Sequence, residues 1–546
     1  MPHAASSPPV TFTNARVFTG EGFSEPLDVH VSHGRIAAVT PAANTTPAAR
    51  TSATTPAASA PTASEIVDLD GSYLMPGFVE SHAHPTFYGL NLLNLDVRPS
   101  AVQSITEIQK VVQIAAQDTP EGEWVLGAGF DETYILEGRM PTRADLDEVA
   151  PDVPVYLERT CTHMGVVNSK ALEVSGVDES TPDPEGGTLV KDAAGRLTGL
   201  VQEDAKKLIA KPAATDARME KGFRLAQQDF TRWGVTTVND CIVTPQIMRV
   251  YERFDARGEF AVRMRPWLYA VPFADYPGML DAALGAGISS GFGNDMLRIQ
   301  GVKYQLDGAM GPRTAAMCCP FEGTEETGIL AHDFDLLVDT FGRAVRGGLR
   351  LAIHAIGDGA MDQALRALEA TGELDWIKAN RIRIEHSSLP TTSQLDTMAE
   401  WNLIASSSIG FVYHLGDSFP SVLGADRIER LLPHRSYQER GIVAPGNSDL
   451  PVTDGNPWAG IYGAVTRTTK TGRVLDTVQN IDLAAALRAY TSDAAYATCE
   501  EDRAGTVEPG KFADLQVYAH NPFDLEPEAW LDLSPEQVWL AGKRLL

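Results

Sequence analysis

An apolar run that ends in two closely spaced histidines constrains this sequence more than any other feature. The run, Leu74-Met-Pro-Gly-Phe-Val-Glu-Ser-His82-Ala-His84-Pro85, is typical of a buried strand. Because alternate side chains of a strand point to the same face, His82 and His84 would converge on one point. A metal ion about 2.0–2.1 Å from each imidazole nitrogen would satisfy both. The alternative is a strand end with two surface histidines. The choice between these interpretations depends on whether the rest of the chain supplies further metal ligands.

The balance of charges excludes two classes of partner. The 546 residues include 45 Lys+Arg and 72 Asp+Glu, which gives a formal net charge of -27. Such a chain repels nucleic acid and anionic membrane surfaces. No apolar stretch reaches the roughly 18 residues that a membrane span needs, and no basic segment followed by an apolar core opens the sequence. We therefore expect a cytoplasmic protein with a small-molecule substrate, and a homodimer as the commonest soluble assembly.

The cysteines do not predict a disulfide framework. They are Cys161, Cys241, Cys318, Cys319 and Cys499. An odd number scattered through a long chain fits a reducing compartment. The adjacent pair Cys318-Cys319 has no accompanying CxxC motif, so we interpret it as structural or pocket-wall thiols rather than as metal ligands.

Both ends of the chain contain short β-like runs separated by turns. We predict that residues 1–75 and 500–546 together form one small β-sandwich. Within it, residues 41–64 consist almost entirely of Ala, Thr, Pro and Ser, which favours a low-complexity loop. Residues 76–499 would then form a catalytic domain between the two ends, with an insertion at about 90–220.

The catalytic segment alternates β-like runs with amphipathic helical stretches, which predicts parallel βα units. Besides the opening run, candidate strands begin at Gly234, Arg263, Ile299, Leu349, Ile382, Leu403 and Ile442. Eight such units favour an α/β fold with a distorted (β/α)8 TIM barrel. The active site of such a barrel lies at the C-terminal ends of the strands.

More side chains of metal-ligand type fall within or directly after these later strands. They are Lys303 in the fourth strand, His354 and His386 at the ends of the fifth and sixth, and Asp449 after the eighth. Neutral imidazole and carboxylate groups suit Zn2+ or a similar divalent ion. A protonated ammonium would be repelled by a dication, so Lys303 must be neutral, distant from the metal or covalently modified.

Together these motifs resemble the metal-dependent amidohydrolase superfamily, and in particular amidohydrolase family 3. The segments that carry the resemblance are Pro76-Gly-Phe-Val-Glu-Ser-His-Ala-His, Asn168-Ser-Lys-Ala-Leu after His163, Gly301-Val-Lys-Tyr-Gln-Leu-Asp-Gly, His354-Ala-Ile-Gly-Asp358, Arg383-Ile-Glu-His386 and Gly505-Thr-Val-Glu-Pro-Gly-Lys-Phe-Ala-Asp-Leu. They occur in the order expected for that family and span nearly the whole chain.

The resemblance implies a particular ligand set. His82, His84 and Asp449 would hold a first metal, and His354 and His386 a second. Lys303 would be carboxylated on its side-chain nitrogen and would bridge both metals. We expect zinc, with one or two ions per chain, because members of the superfamily differ in occupancy.

Two segments depart from the family pattern. Where relatives often carry a Gln-Pro pair after the seventh strand, this chain has Ser408-Ile409-Gly410. Asn447-Ser448-Asp449 replaces a more usual Gly-Ser-Asp. The first departure touches the expected substrate pocket, so a relative's substrate does not transfer directly to this chain.

The reaction implied is hydrolysis of a non-peptide C–N bond in an amide, an N-substituted formamide or a cyclic amide by a metal-activated hydroxide. Asp449 would carry the proton to the leaving nitrogen. His163 would stabilise the developing oxyanion, or would only line the pocket. Further substrate-pocket candidates, each of which could instead be structural, are Glu203, Asp307, Arg313 and Asp358. Glu385, next to a ligand on its strand, should point to the opposite face in a structural or supporting role.

Three alternatives remain open from the sequence. The same site could hydrolyse a carbamate, an ester or a lactone. Cys161 near His163 could serve a nucleophilic-cysteine enzyme. The chain could also be a non-catalytic metal-binding scaffold, although a complete ligand set with a candidate base argues against that.

Overall fold

A computed structural model describes residues 8–42, 65–160, 164–184, 186–272 and 276–546. Within these ranges the fold is α/β, with both mixed and parallel sheets. His163, Cys161 and most of the predicted loop at 41–64 lie outside the described residues. None of the helices in the described ranges is both long and apolar enough to cross a membrane.

The chain divides into two compact units. One contains the described residues up to His84 together with those from Gln227 onward, and the other is Pro85–Ala226. The insertion predicted at about 90–220 lies within the second unit.

The strands of the described residues, in chain order, are β1 (Val10–Phe18), β2 (Phe23–Ser32), β3 (Arg35–Pro41), β4 (Glu65–Asp68), β5 (Tyr73–Pro76), β6 (Phe78–Ala83), β7 (Leu95–Asp96), β8 (Val125–Phe130), β9 (Val155–Arg159), β10 (Met164–Val167), β11 (Gly187–Lys191), β12 (Leu197–Glu203), β13 (Val235–Val243), β14 (Arg263–Tyr269), β15 (Gly301–Gln305), β16 (Arg350–Ala355), β17 (Arg383–His386), β18 (Ile404–Ser407), β19 (Leu515–Tyr518), β20 (Gln537–Leu540) and β21 (Lys543–Arg544).

The α-helices are α1 (Pro85–Leu92), α2 (Ile105–Asp118), α3 (Arg143–Asp147), α4 (Ser169–Ser175), α5 (Asp216–Arg232), α6 (Pro245–Arg257), α7 (Leu280–Gly285), α8 (Phe334–Arg346), α9 (Asp358–Ala370), α10 (Leu374–Ala379), α11 (Thr392–Glu400), α12 (Gly410–Leu415), α13 (Phe419–Leu423), α14 (Ala425–Ile428), α15 (His434–Glu439), α16 (Pro457–Thr466), α17 (Leu483–Ala489) and α18 (Ser492–Ala497). Short 3-10 helices lie at Glu132–Tyr134, Asp204–Leu208, Pro522–Asp524 and Pro527–Asp532.

Strands from both ends of the chain form one mixed sheet, in the order β21-β20-β19-β5-β1-β2-β3, with β4 paired to β1. The two ends join where β19 runs antiparallel to β5. Alternating apolar side chains of these strands, including Phe12, Val29 and Trp539, pack into a common core. Alternation suits a sheet that is buried on one face, which is why the termini read as short β-like runs.

A seven-stranded parallel sheet carries the ligand-type residues, in the order β18-β17-β16-β15-β14-β13-β6. Every residue of β6, β14 and β16 is buried. Parallel strands covered on both faces need continuous apolar runs, because neither face meets water. The first seven predicted strands are thereby confirmed. Helices follow several of them directly, as α6 follows β13 and α9 follows β16.

The eighth predicted strand, beginning at Ile442, is not a regular strand. Its segment still pairs with β18, since Ala405 donates to Val443 at 3.0 Å and Ser407 to Pro445 at 3.0 Å. Pro445 has no N–H, so it cannot donate the backbone hydrogen bond that a regular strand would make to β18. Beyond it, single parallel bridges join Gly446 to β18 and Leu450 to Ala83 of β6. The segment therefore contacts both outer strands of the parallel sheet.

The second unit has a sheet of its own, in the order β11-β12-β10-β9-β8-β7. Its apolar side chains form two clusters, one around Ile108, Leu157 and Val166 and the other around Val167 and Val201. Helices α2, α3 and α4 begin with side-chain caps, such as Asn168 accepting from Ala171 N at 2.9 Å. Such caps satisfy backbone donors that a helix start leaves unpaired.

Candidate metal centre

Three residues of the expected first metal set meet at the end of β6. Nε2 of His84 lies 3.1 Å from Oδ1 of Asp449, and Nε2 of His82 lies 3.5 Å from the same oxygen. Ligand-type atoms of these three residues all lie within 4.8 Å of one another. Backbone bonds hold the arrangement, because Asp449 N donates to His82 O at 3.0 Å and His84 N to Leu450 O at 2.7 Å.

The two histidines of the expected second set lie beside the first. The ring centroids of His354 and His386 are 4.5 Å apart, and those of His386 and His82 are 4.7 Å apart. Nε2 of His354 lies 3.0 Å from Gly308 O. A carbonyl can only accept, so this nitrogen must carry the hydrogen, which leaves Nδ1 of His354 as its possible metal-binding atom.

Lys303 lies buried among these histidines. Its Nζ is 3.4 Å from Nε2 of His82, and the residue is 3% exposed. Across the described residues it has no ion pair. A buried ammonium without a counter-charge is costly, so the site suits a neutral or covalently modified lysine.

A buried ion pair that the sequence did not predict orients His82. Its Nδ1 lies 2.6 Å from Oε2 of Glu385. Arg383 binds both oxygens of that carboxylate, at 2.7 and 2.9 Å. Burial would raise the pKa of Glu385, but the charge and hydrogen bonds of Arg383 outweigh it and hold the pKa below its usual value. The ionised carboxylate accepts the hydrogen of His82 Nδ1 and so directs Nε2 toward Asp449.

The burial of the imidazoles keeps two of them neutral. It lowers the pKa of His82 well below its usual value, and the charge of Arg383 adds to the effect. Burial also lowers the pKa of His386, with a further contribution from His354. The neutral imidazole is the form that binds a metal.

Asp240, inside β13, is a site residue that sequence reasoning missed. Its Oδ1 lies 3.7 Å from Nδ1 of His84, and its Oδ2 accepts from the Tyr251 hydroxyl at 2.5 Å. Burial acts to lower the pKa of His84, but the neighbouring carboxylates of Asp240 and Asp449 outweigh it and raise the pKa. A carboxylate directly after the predicted strand that begins at Gly234 was the signal that could have identified Asp240.

Glu80 positions the segment that carries Asp449. Its carboxyl group lies 3.0 Å from His82 N and 2.8 Å from the Ser448 hydroxyl. Complete burial raises the pKa of Glu80 to about 8, although these hydrogen bonds act to lower it. The group joins β6 to the residue immediately before Asp449.

A second grouping of ligand-type atoms, from His82, Cys241 and Glu385, overlaps the first. Glu385 is already paired with Arg383, and burial raises the pKa of the Cys241 thiol well above its usual value. A protonated thiol is a poor ligand. We therefore interpret Cys241 and Glu385 as residues that surround His82 and not as ligands of another metal centre.

Two of the predicted substrate-pocket residues make hydrogen bonds to the backbone of neighbouring segments. Asp307 accepts from Ala316 N at 2.9 Å and Gly357 N at 2.8 Å, and its Oδ1 is 3.2 Å from His354 Nε2. Asp358 accepts from Cys318 N at 2.8 Å.

The other predicted pocket residues lie in other parts of the chain. Arg313 lies in the segment after β15 with a φ of 58°. Glu203 ends β12 in the second unit. His163 lies outside the described residues, so its role, like those of the other pocket candidates, stays a prediction. Cys318 and Cys319 are exposed, with sulfur atoms 3.6 Å apart.

Similar proteins give the site its context. The chain is 28% identical to N-substituted formamide deformylase of Arthrobacter pascens, over 89% of this chain and 90% of that protein. It is 30% identical to protein LONG AFTER FAR-RED 3 of Arabidopsis thaliana, over 88% of this chain and 83% of that protein. A crystal structure of an uncharacterised metal-dependent hydrolase from Pyrococcus horikoshii OT3 superposes with a TM-score of 0.76, at 25% identity, over 95% of this chain and 99% of that one.

The fold and the site therefore define a metal-dependent hydrolase. The chain belongs to the amidohydrolase family, whose model matches residues 65–546.

Proposed function

We propose that this protein hydrolyses a non-peptide C–N bond in an amide, an N-substituted formamide or a cyclic amide. The observation that carries the proposal is the buried cluster of His82, His84 and Asp449, with the histidines of later strands beside it. The formamide deformylase relative supports the substrate class. Carbamates, esters and lactones are the alternative substrates for the same site.

We infer that the parallel sheet closes into a distorted (β/α)8 barrel. Support comes from the segment after Ile442, which bonds to β18 on one side and to β6 on the other. Closure of this kind would place the ends of all the strands around one centre. The single mixed sheet built from the two chain ends, with its own apolar core, supports the prediction that these ends form one small β-domain.

The donor set fits a divalent metal, with zinc as the expected ion. Nitrogen and carboxylate donors converge from several strands, and the buried Lys303 amine has no ion pair among the described residues. His82, His84 and Asp449 would hold one ion and His354 and His386 another, with Lys303 carboxylated between them. When bound, such an ion lowers the pKa of water to about 7 and so makes it a nucleophile at neutral pH.

The chain's own residues would handle the proton. Asp449 holds its Oδ1 3.1 Å from His84 Nε2 and its Oδ2 4.0 Å from His386 Nδ1. This position lets Asp449 accept a proton from the attacking water and deliver it to the leaving nitrogen. His163 would stabilise the developing oxyanion.

The aromatic ring of Phe411 supplies an apolar surface beside the site. It stacks on His386, with centroids 6.1 Å apart and planes at 14°. Phe411 belongs to an apolar cluster that also contains Met310 and Met317. This surface favours a substrate with an apolar or aromatic group next to its scissile bond.

A substrate panel with one variant tests the proposal. The metal-loaded enzyme should hydrolyse at least one N-formyl amine, acylated amine or cyclic amide. Asp449→Asn should lower kcat by about 10²–10⁴ because the proton carrier is lost. Asp454→Asn, which changes an exposed carboxylate nearby, is the matched control and should keep wild-type activity.

Metal content is measured alongside activity in each variant. Turnover of esters or lactones but of no C–N substrate would replace the proposed reaction with its alternative. Full activity in Asp449→Asn would remove Asp449 as the proton carrier.

A further inference from the structure

The two segments that depart from the family pattern meet at His386. Nδ1 of His386 lies 2.7 Å from the Ser408 hydroxyl oxygen. That hydroxyl donates to Oδ1 of Asn447 at 2.8 Å. All three side chains are buried.

The direction of these bonds determines which nitrogen of His386 carries the hydrogen. The Ser408 hydroxyl has a single hydrogen, which Asn447 Oδ1 accepts. The Ser408 oxygen can therefore only accept from His386, so Nδ1 carries the hydrogen. Nε2 is left with its lone pair, which is the atom a metal ion would need.

The same chain of hydrogen bonds continues to the support of His82. Asn447 Nδ2 donates to the Ser406 hydroxyl oxygen at 3.2 Å. Arg383 Nη2 donates to that oxygen at 3.0 Å and to Glu385 at 2.9 Å. Glu385 in turn accepts from His82 Nδ1 at 2.6 Å. One buried network thus contacts both histidines from the side away from their Nε2 atoms.

We propose that Ser408 and Asn447 are positioning residues that hold His386 in the metal-binding tautomer and couple it to the support of His82. This inference rests on the proposed metal-dependent function and adds to it. Ser408 would act directly on His386, and Asn447 would act by orienting the Ser408 hydroxyl. Neither would contact the substrate.

Metal-binding titrations test the inference. Wild type, Ser408→Ala and Asn447→Ala are stripped with a chelator and titrated with Zn2+, and then with Co2+, whose visible absorption reports the coordination of the ion. Loss of groups that orient metal-binding histidines typically weakens binding about 10–100-fold. We expect the Kd of the most weakly bound metal ion to rise by this factor in both variants.

Ser407→Ala is the matched control. Ser407 is the neighbouring buried serine, but its hydroxyl lies 2.8 Å from His434 Nε2 and takes no part in the network. This variant should bind metal as wild type does. Thermal melts of all the metal-free variants show whether each one folds.

A double variant separates positioning from general loss of packing. Ser408→Ala with Asn447→Ala should lose less metal affinity than the sum of the two single variants, because both changes break one chain of bonds. Additive losses, or titration curves that coincide with that of Ser407→Ala, would overturn the inference and leave the proposed function standing. A wild-type protein that binds neither Zn2+ nor Co2+ would overturn the proposed function as well.

Discussion

Arg383 is a fully buried cation whose charge is balanced within the core. It makes two hydrogen bonds to Glu385 and one to the carbonyl oxygen of Ser81, at 2.6 Å. A well-packed apolar pair could replace such an ion pair at little cost to stability. Its value here is positional, since Glu385 orients His82. The loss of one partner, in contrast, leaves the other charge buried and alone.

Arg383→Met should therefore destabilise the metal-free protein by about 3–5 kcal/mol, because Glu385 would keep an uncompensated buried charge. Urea unfolding followed by circular dichroism measures the change. Arg366→Met is the matched control, since Arg366 pairs with Asp362 on the surface of α9, where both side chains are at least 60% exposed. Exposed pairs contribute little, so the control should unfold as wild type does. Equal destabilisation in the two variants would contradict the prediction.

The segment between β15 and α8 is held beside the turn after β16 by contacts near its start, at Asp307, and near its middle, at Cys318. Asp307 binds backbone N–H groups of both this segment and the turn after β16. Asp358, the first residue of α9, accepts from Cys318. The turn after β16 packs so tightly on the segment that an added methyl group at Gly357 would lie 1.9 Å from Ala316 O.

Gly357→Ala should push this segment away from the turn and disturb the contacts of His354 with Asp307 and Gly308. Backbone conformation is not the cause, because Gly357 has a φ of -79°, which alanine adopts readily. We expect a lower melting temperature and weaker zinc binding, measured by calorimetry and titration.

Gly311→Ala is the control in the same segment, since no atom lies within 4 Å of its added methyl group. It should match wild type in both measurements. A Gly357→Ala protein that also matches wild type would show that the segment moves without cost.

At the scale of the whole molecule, the candidate ligands connect distant parts of the chain. His82 and Asp449, which meet at the centre, are separated along the chain by the whole second unit and about half of the first. A metal that binds only the folded state stabilises it by RT ln(1 + [L]/Kd), about 2.7 kcal/mol when the free ion is at 100 times its Kd.

Chelation should therefore lower the melting temperature of the wild-type protein, and added zinc should restore it. His84→Ala should respond much less, because it lacks a candidate ligand. His33→Ala changes an exposed histidine in the turn between β2 and β3 and should keep the full response. A chelator shift of the same size in His84→Ala would place the stabilising metal elsewhere.

Much of the architecture follows from local patterns. The parallel strands were predictable because strands buried on both faces need continuous apolar runs, and the ends of the chain because a one-sided sheet needs alternation. The segment after Ile442 was harder, because Pro445 interrupts its ladder while neighbouring backbone groups keep it beside β18. Sequence reasoning placed the strand there and missed its irregularity.

What the sequence alone determined is which side chains stand at strand ends: His82, His84, His354, His386 and Asp449. Strand periodicity and the alternation of strands with helices are local patterns, so their consequences could be derived from residue spacing. Only the tertiary structure decided which nitrogen of each histidine faces the centre. That choice depends on Glu385, Gly308 and Ser408, which reach the histidines across the interior from other strands and loops. The register and direction of such contacts are set by packing, which no local pattern specifies.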